Sequence, residues 1–186
     1  MRHVLTAAAV AALLGLPAGA DEIEDALSRA LDAYRAGDVA LAKEETDYAS
    51  TLLAERKAAG LKGFLPDALT GWTRRDEADG AQSLGAFGGG IVASASYTGD
   101  RGEVTVTLMA DNQLVASMAA MLSNTAFMSQ MGTVRRTGRQ TYVITQDGTV
   151  QALVAGRILA QVEGSAPVED KTAYFEAIDF AALAGF

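Results

Sequence analysis

The absence of cysteine restricts this chain of 186 residues most strongly, because neither a disulfide nor a thiolate metal site can hold its fold together. An apolar core must therefore supply the stability. The single histidine, His3, lies in an N-terminal segment that we expect to be removed, so the mature chain would also lack imidazole. Without these groups a thiol nucleophile, a histidine general base and a Ser-His-Asp triad are excluded. We therefore expect a noncatalytic protein with no cofactor.

The N-terminal segment has the pattern of a secretory signal peptide. Arg2 and His3 form a short positive region, Val4–Leu16 is apolar, and the following residues end in a small-x-small pattern at Ala20. The alternative is a membrane anchor, but the apolar run is shorter than the ~20 residues that span a bilayer. We predict a signal peptide over residues 1–20, cleavage after Ala20, a periplasmic or secreted product, and no stable membrane insertion after cleavage.

The charge of the chain argues against nucleic acid as a partner. Asp and Glu number 23 against 15 Lys and Arg, which gives a formal net charge of −8. Loss of Arg2 with the signal peptide would change this charge to −9. Such a surface repels phosphate backbones and anionic lipids. The remaining residues, about 166, suffice for one main domain with a helical appendage.

Residues 21–60 have the periodicity of a helical hairpin. Apolar residues recur at helical spacing over Asp21–Arg35, and a second helix is predicted over Val39–Ala59. Asp38 can cap the second helix, and Gly60 is expected to end it. Acidic residues in the first turn of the first helix complement its dipole.

Residues 30–42 join these two helices through the sequence Ala-Leu-Asp-Ala-Tyr-Arg-Ala-Gly-Asp-Val-Ala-Leu-Ala. This stretch resembles the helix-turn-helix join of tetratricopeptide repeats. The match covers about one repeat and does not recur later, whereas solenoids need three or more units. No repeat array and no peptide-binding groove therefore follow from the resemblance, and a plain antiparallel hairpin is predicted.

Residues 61–186 read as an α+β domain. Strands are predicted over Ile91–Thr98, Glu103–Ala110, Thr133–Gly138, Arg139–Gln146, Thr149–Ala155 and Arg157–Glu163, and helices over Asn112–Ser123, capped by Asp111, and Val168–Ala184. Tight turns, including Asp147-Gly148, join most strands, which favours an antiparallel sheet. We predict an α+β fold: an N-terminal helical hairpin, then an antiparallel β-sheet with helices packed on a face.

The order of these elements resembles the one-sheet domains of the PsbP and Mog1 proteins. The segments around Gly71-Trp72, Phe87–Gly90 and Ala160–Gly164 are similar to uncharacterised exported bacterial proteins. The first resemblance implies a single sheet, and the second implies no activity.

Methionine forms the one unusual chemical cluster. Apart from Met1, every methionine lies between positions 109 and 131. Met118, Met121, Met128 and Met131 form two Met-x-x-Met pairs, which would place thioethers on one side of a helix. Thioethers select Cu(I), so these four residues are candidate metal ligands. The alternative is that they fill a core or form a contact surface.

Two other features have ordinary interpretations. Asp76 and Glu77 form a carboxylate pair that would suit a hydrolase only within a cleft of controlled geometry. The glycines at 85 and 88–90 lack the Lys-Ser/Thr of a phosphate loop and indicate a flexible loop or bulged strand.

Four arginines stand out against the acidic composition: Arg135, Arg136, Arg139 and Arg157. Two neighbours on one strand point to opposite faces, so Arg135 and Arg136 do not form a single anion-binding patch without a bulge. Charge that protects a sheet edge is the favoured interpretation.

These features predict an exported noncatalytic accessory or binding protein that contacts another exported protein or a small ligand. A periplasmic Cu(I)-binding protein that uses methionine thioethers is the alternative. A carboxylate-dependent hydrolase is the third hypothesis.

Overall fold

A computed structural model describes residues 18–77 and 90–186 of the chain. The predicted signal peptide lies outside this part except for Ala18–Ala20, which begin the first helix. The glycine loop at 85–89 also lies outside it. Within the described residues, we find no helix with the length and apolar character needed to cross a membrane.

The helices are α1 (Ala18–Arg35), α2 (Val39–Lys62), α3 (Gln113–Leu122), α4 (Thr125–Met131), α5 (Val168–Glu176) and α6 (Phe180–Leu183). The strands are β1 (Trp72–Asp76), β2 (Ile91–Gly99), β3 (Gly102–Ala110), β4 (Gly132–Thr137), β5 (Gln140–Thr145), β6 (Val150–Val154) and β7 (Ile158–Glu163). The chain divides into two compact units, the first ending at Leu53 and the second running from Ala54 to Phe186.

The first unit contains α1 and the first part of α2. Gly37 adopts a φ of +81° between the helices, and the Asp38 carboxylate accepts the Leu41 amide at 3.0 Å, which confirms the predicted cap. The helices meet through small side chains, and polar contacts such as Arg29 to Glu45 at 2.9 Å join their outer faces. The buried side chains are Ala26, Ala30, Ala33, Ala42 and Ala49.

The predicted end of α2 at Gly60 is wrong, because the helix continues to Lys62. Leu61 is fully buried in the core of the second unit, and its burial favours one more helical turn. At Gly60 an added Cβ would lie 3.3 Å from the ring of Phe186. The absence of a side chain at Gly60 therefore lets the Phe186 ring pack closely against α2.

The second unit is built on a seven-stranded sheet in the order β1-β2-β3-β7-β6-β5-β4. Every neighbouring pair is antiparallel, which confirms the predicted α+β class with an antiparallel sheet. All six predicted strands are present, with no end shifted by more than one residue. The edge strand β1 was not predicted, because Arg74, Arg75 and Asp76 interrupt its apolar pattern.

The main core lies between one face of this sheet and α5 and α6. Tyr97 and Tyr174 are fully buried there, with ring centroids 4.2 Å apart. Tyr97 donates a hydrogen bond to the Pro66 carbonyl at 2.6 Å, and the Tyr174 hydroxyl accepts one from the Leu69 amide at 3.1 Å. Both phenols therefore keep polar partners in an apolar core.

A second apolar cluster lies on the opposite face of the sheet, under α3 and α4. Tyr142 belongs to the main core and the next residue, Val143, to this cluster, as expected from the alternation of side chains along a strand. The helices of the second unit thus cover parts of both faces.

Two further predictions about helices are wrong: the cap of α3 and the single C-terminal helix. The cap of α3 is Asn112, whose side chain accepts the Leu114 amide at 2.7 Å, whereas Asp111 has a φ of +52° and accepts a hydrogen bond from Lys57 at 2.7 Å. The helix predicted over Val168–Ala184 is divided into α5 and α6. Asp179 causes this division, because its carboxylate caps the amides at the start of α6.

Candidate functional site

A cleft of about 720 Å³ lies at one end of the sheet in the second unit. Its walls come from the β4–β5 turn, the end of β6, and the segment that joins α5 to α6. Strands β5 and β6 run antiparallel, so Gln140 at the start of β5 lies beside the end of β6, and its side chain donates to the Leu153 carbonyl at 3.1 Å. Topology thus brings three distant sequence segments together here. We refer to this site as the end cleft.

The apolar lining of the end cleft is continuous with the main core. Val154 and Ile178 are buried core residues that also line the cleft. Phe180 lines it as well and packs on Phe175, with ring centroids 4.9 Å apart. Since these rings are held by the core, this wall is formed before any ligand binds.

Glu176 lines the cleft and is linked to a buried phenol. The hydroxyl of Tyr142 donates a hydrogen bond to Glu176 Oε1 at 2.9 Å. Burial raises the pKa of Tyr142, and the hydrogen bond and charge of Glu176 raise it further, while Arg135 opposes the change. Tyr142 therefore stays protonated near neutral pH and acts as a hydrogen-bond donor to this carboxylate.

Asp179, the second carboxylate of the cleft, is engaged with backbone. Its Oδ1 accepts hydrogen bonds from the amides of Ala181 at 3.1 Å and Ala182 at 3.0 Å. These bonds satisfy two of the free amides at the start of α6. Asp179 is therefore the N-cap of α6, and this role limits its availability to a ligand.

Arg139 is the cationic residue of the end cleft. It follows Gly138, which has a φ of +53°, at the tip of the β4–β5 turn. Arg139 is exposed, and among the described residues no carboxylate lies within ion-pair distance of its guanidinium. The cleft thus combines an apolar wall, two carboxylates with intramolecular partners, and a guanidinium with free donors.

Sequence reasoning identified part of this site. It selected Arg139, although as a residue that protects a sheet edge. It missed Glu176 and Asp179, since both fall inside the long helix predicted over Val168–Ala184. Asp179 carried a usable signal, because an aspartate before a short apolar helical run is a frequent helix cap. Glu176 carried none.

The candidate metal ligands do not all lie together. Met128 is buried in the second apolar cluster, and Met118 and Met131 pack against it. Met109, which was not among the four candidates, joins the same cluster. Met121 is 41% exposed and lies outside this cluster. The structure therefore groups three of the four candidates with a fourth methionine.

Two of the remaining arginines, Arg135 and Arg136, lie where charge can protect an edge of the sheet. Strand β4 is at the edge of the sheet, and Arg135 and Arg136 are exposed on it. Because they are consecutive on a regular strand, they project to opposite faces and form no joint anion patch. Arg157 lies in the β6–β7 turn, where its charge lowers the pKa of Asp111, after the larger effect of Lys57.

The carboxylate pair considered for hydrolysis is occupied by neighbours. Asp76 accepts a hydrogen bond from Arg74 Nε at 2.6 Å, and Glu77 accepts one from the Ser96 hydroxyl at 2.7 Å. The Ser96 hydrogen bond and the charge of Arg75 lower the pKa of Glu77. A general acid of glycoside hydrolysis needs a raised pKa, so this environment does not favour that role.

Within the described residues, no group of three or more His, Cys, Asp or Glu side chains is arranged to hold a metal ion. Comparison of the chain with known protein families, curated proteins and solved structures finds no match.

Proposed function

We propose that this chain is an exported noncatalytic binding protein that takes a small ligand in the end cleft. The observation that supports this proposal is the cleft itself. Its volume of about 720 Å³ is typical of small-molecule sites, and its apolar wall is continuous with the buried main core. Export is proposed from the signal-peptide pattern at residues 1–20.

The chemistry of the lining indicates the class of ligand. Val154, Ile178 and Phe180 favour an apolar body. Glu176 and Asp179 already accept intramolecular hydrogen bonds, whereas the Arg139 guanidinium has free donors that match a carboxylate. An apolar carboxylic acid of moderate size meets both requirements.

Octanoate is a suitable probe, with octanol and octylamine as matched controls for the head group. We expect octanoate to raise the Tm of the full chain more than either control, because a ligand of the folded state stabilises it by mass action. The rise should be lost in Arg139→Gln and kept in Arg136→Gln, which removes an exposed arginine outside the cleft lining. An equal rise in both variants would contradict the proposed site.

Binding of Cu(I) is a second candidate function, and one observation favours it. Met109, Met118, Met128 and Met131 belong to a single apolar cluster, so four side chains with the soft ligand atom that Cu(I) prefers share one environment. The same burial also fits a purely structural role, in which flexible methionines fill gaps between the helices and the sheet.

A further inference from the structure

The helical hairpin of the first unit carries an apolar groove. The groove has a volume of about 560 Å³. Its lining includes four large apolar residues, Leu27, Leu31, Tyr34 and Val39, together with two alanines and the polar residues Lys43, Thr46 and Asp47. These four side chains are between 47% and 68% exposed. Scattered exposed apolar residues are normal on a protein surface, but four in one concave site indicate an interaction surface.

The alanine packing of the hairpin explains why these large side chains remain exposed. Small residues such as Ala26 and Ala30 occupy the contact between α1 and α2. Leu27, Leu31 and Tyr34 follow one another at spacings of four and three on α1, so they form a stripe beside that contact. The hairpin is therefore packed without the larger residues, which stay available to a partner.

The hairpin that carries the groove is acidic as a whole, while the two charged residues of the groove lining, Lys43 and Asp47, form an ion pair with each other. Residues 22–53 contain eight Asp and Glu against three Lys and Arg, a formal charge of −5. Each of the three cations is already paired within the hairpin: Arg29 with Glu45, Arg35 with Asp32, and Lys43 with Asp47. Five acids thus have no Lys or Arg partner within the hairpin. One of them, Glu24, lies three residues before Leu27, at the N-terminal end of the apolar stripe.

We propose that this groove docks a basic amphipathic helix of a partner protein. A third helix can place an apolar face on the stripe in the manner of helix-in-groove recognition. Lys and Arg beside that face would meet acids that lack a cationic partner, which favours association with a cationic segment. A second copy of the hairpin has the same charge of −5 and would be repelled, and an anionic lipid surface is disfavoured for the same reason.

The test uses the full chain and a labelled peptide of about 18 Leu and Lys residues, long enough for five helical turns, with leucines on one face. A peptide of the same composition with dispersed leucines is the first control, and one with Glu in place of Lys is the second. Fluorescence anisotropy measures binding. We expect binding to the first peptide, weaker binding at about 0.5 M salt, and much weaker binding of both control peptides.

Variants locate the binding site. Leu31→Gln combined with Tyr34→Gln should weaken binding by ~10-fold or more, because both large apolar side chains line the groove. Leu53→Gln is the matched control, since Leu53 is 45% exposed in the same unit but does not line the groove. Circular dichroism should show an unchanged helical content in both variants, because the altered side chains are exposed.

Several results would overturn the proposal. Equal binding to the double variant and to Leu53→Gln would place the peptide elsewhere. Equal binding of the dispersed-leucine peptide would show that charge alone attracts it, and equal binding of the Glu peptide would remove the role of charge. Self-association of the full chain that is lost in the double variant would identify a second copy as the occupant. None of these outcomes depends on the end cleft.

Discussion

At the scale of single residues, Tyr97 couples core packing to pH. Its side chain is fully buried, and burial raises its pKa from 10.0 to about 12. A raised pKa in the folded state means that the stabilising contribution is complete below the unfolded pKa and is lost as pH rises towards the folded pKa. The relevant window is therefore alkaline, between about pH 10 and pH 12.

We predict that the free energy of unfolding falls across this window by on the order of 2 kcal/mol because of Tyr97. Urea unfolding at a series of pH values measures the effect. Tyr97→Phe should lose about 1 kcal/mol at neutral pH with its hydrogen bond to Pro66, but should show a shallower alkaline decline. Tyr34→Phe is the control, since Tyr34 is exposed, and its pH profile should follow that of the unmodified protein. Parallel declines in all three proteins would contradict the assignment.

The methionines allow a second residue-scale prediction. Changing Met118, Met128 or Met131 to Leu preserves volume approximately, so each change should cost less than ~1.5 kcal/mol in unfolding free energy. Met121→Leu should cost least, because Met121 lies outside the apolar cluster. If these residues only fill space, anaerobic addition of Cu(I) will leave the Tm of the unmodified protein unchanged, and this is the result we expect. A Cu(I)-dependent rise that disappears in the Leu variants would favour the metal-binding alternative.

At the scale of elements, strands were easier to predict than helix ends. Alternation in β3 and the Asp147-Gly148 turn are local patterns, and both are confirmed by the structure. Gly60 was misread because the end of α2 depends on residues distant in sequence. Asp179 was misread because helical periodicity outweighed its local capping signal. Burial of Leu61 extends α2 through a glycine, and capping by Asp179 starts a new helix where periodicity alone predicted continuity.

At the scale of the whole molecule, export is the property on which the proposed function depends. We predict that mass spectrometry of the native product will find Asp21 as the N-terminus and no attached lipid. Cleavage there would remove only the first residues of α1, which begins at Ala18. Recovery of the intact chain with residues 1–20 in a membrane fraction would contradict the signal-peptide interpretation.

The sequence by itself determined the fold class, because strand alternation, turn residues and helical periodicity are local properties of the chain. It also excluded thiol and imidazole chemistry in the predicted mature chain, since residue types are independent of the fold. Only the tertiary structure decided where Arg139, Glu176 and Val154 meet, because strand order and the break before α6 bring distant residues to one end of the sheet. It also decided that alanines, and not Leu27 or Tyr34, fill the hairpin contact. Periodicity marks an apolar stripe, but only packing selects the side chains within it that are buried.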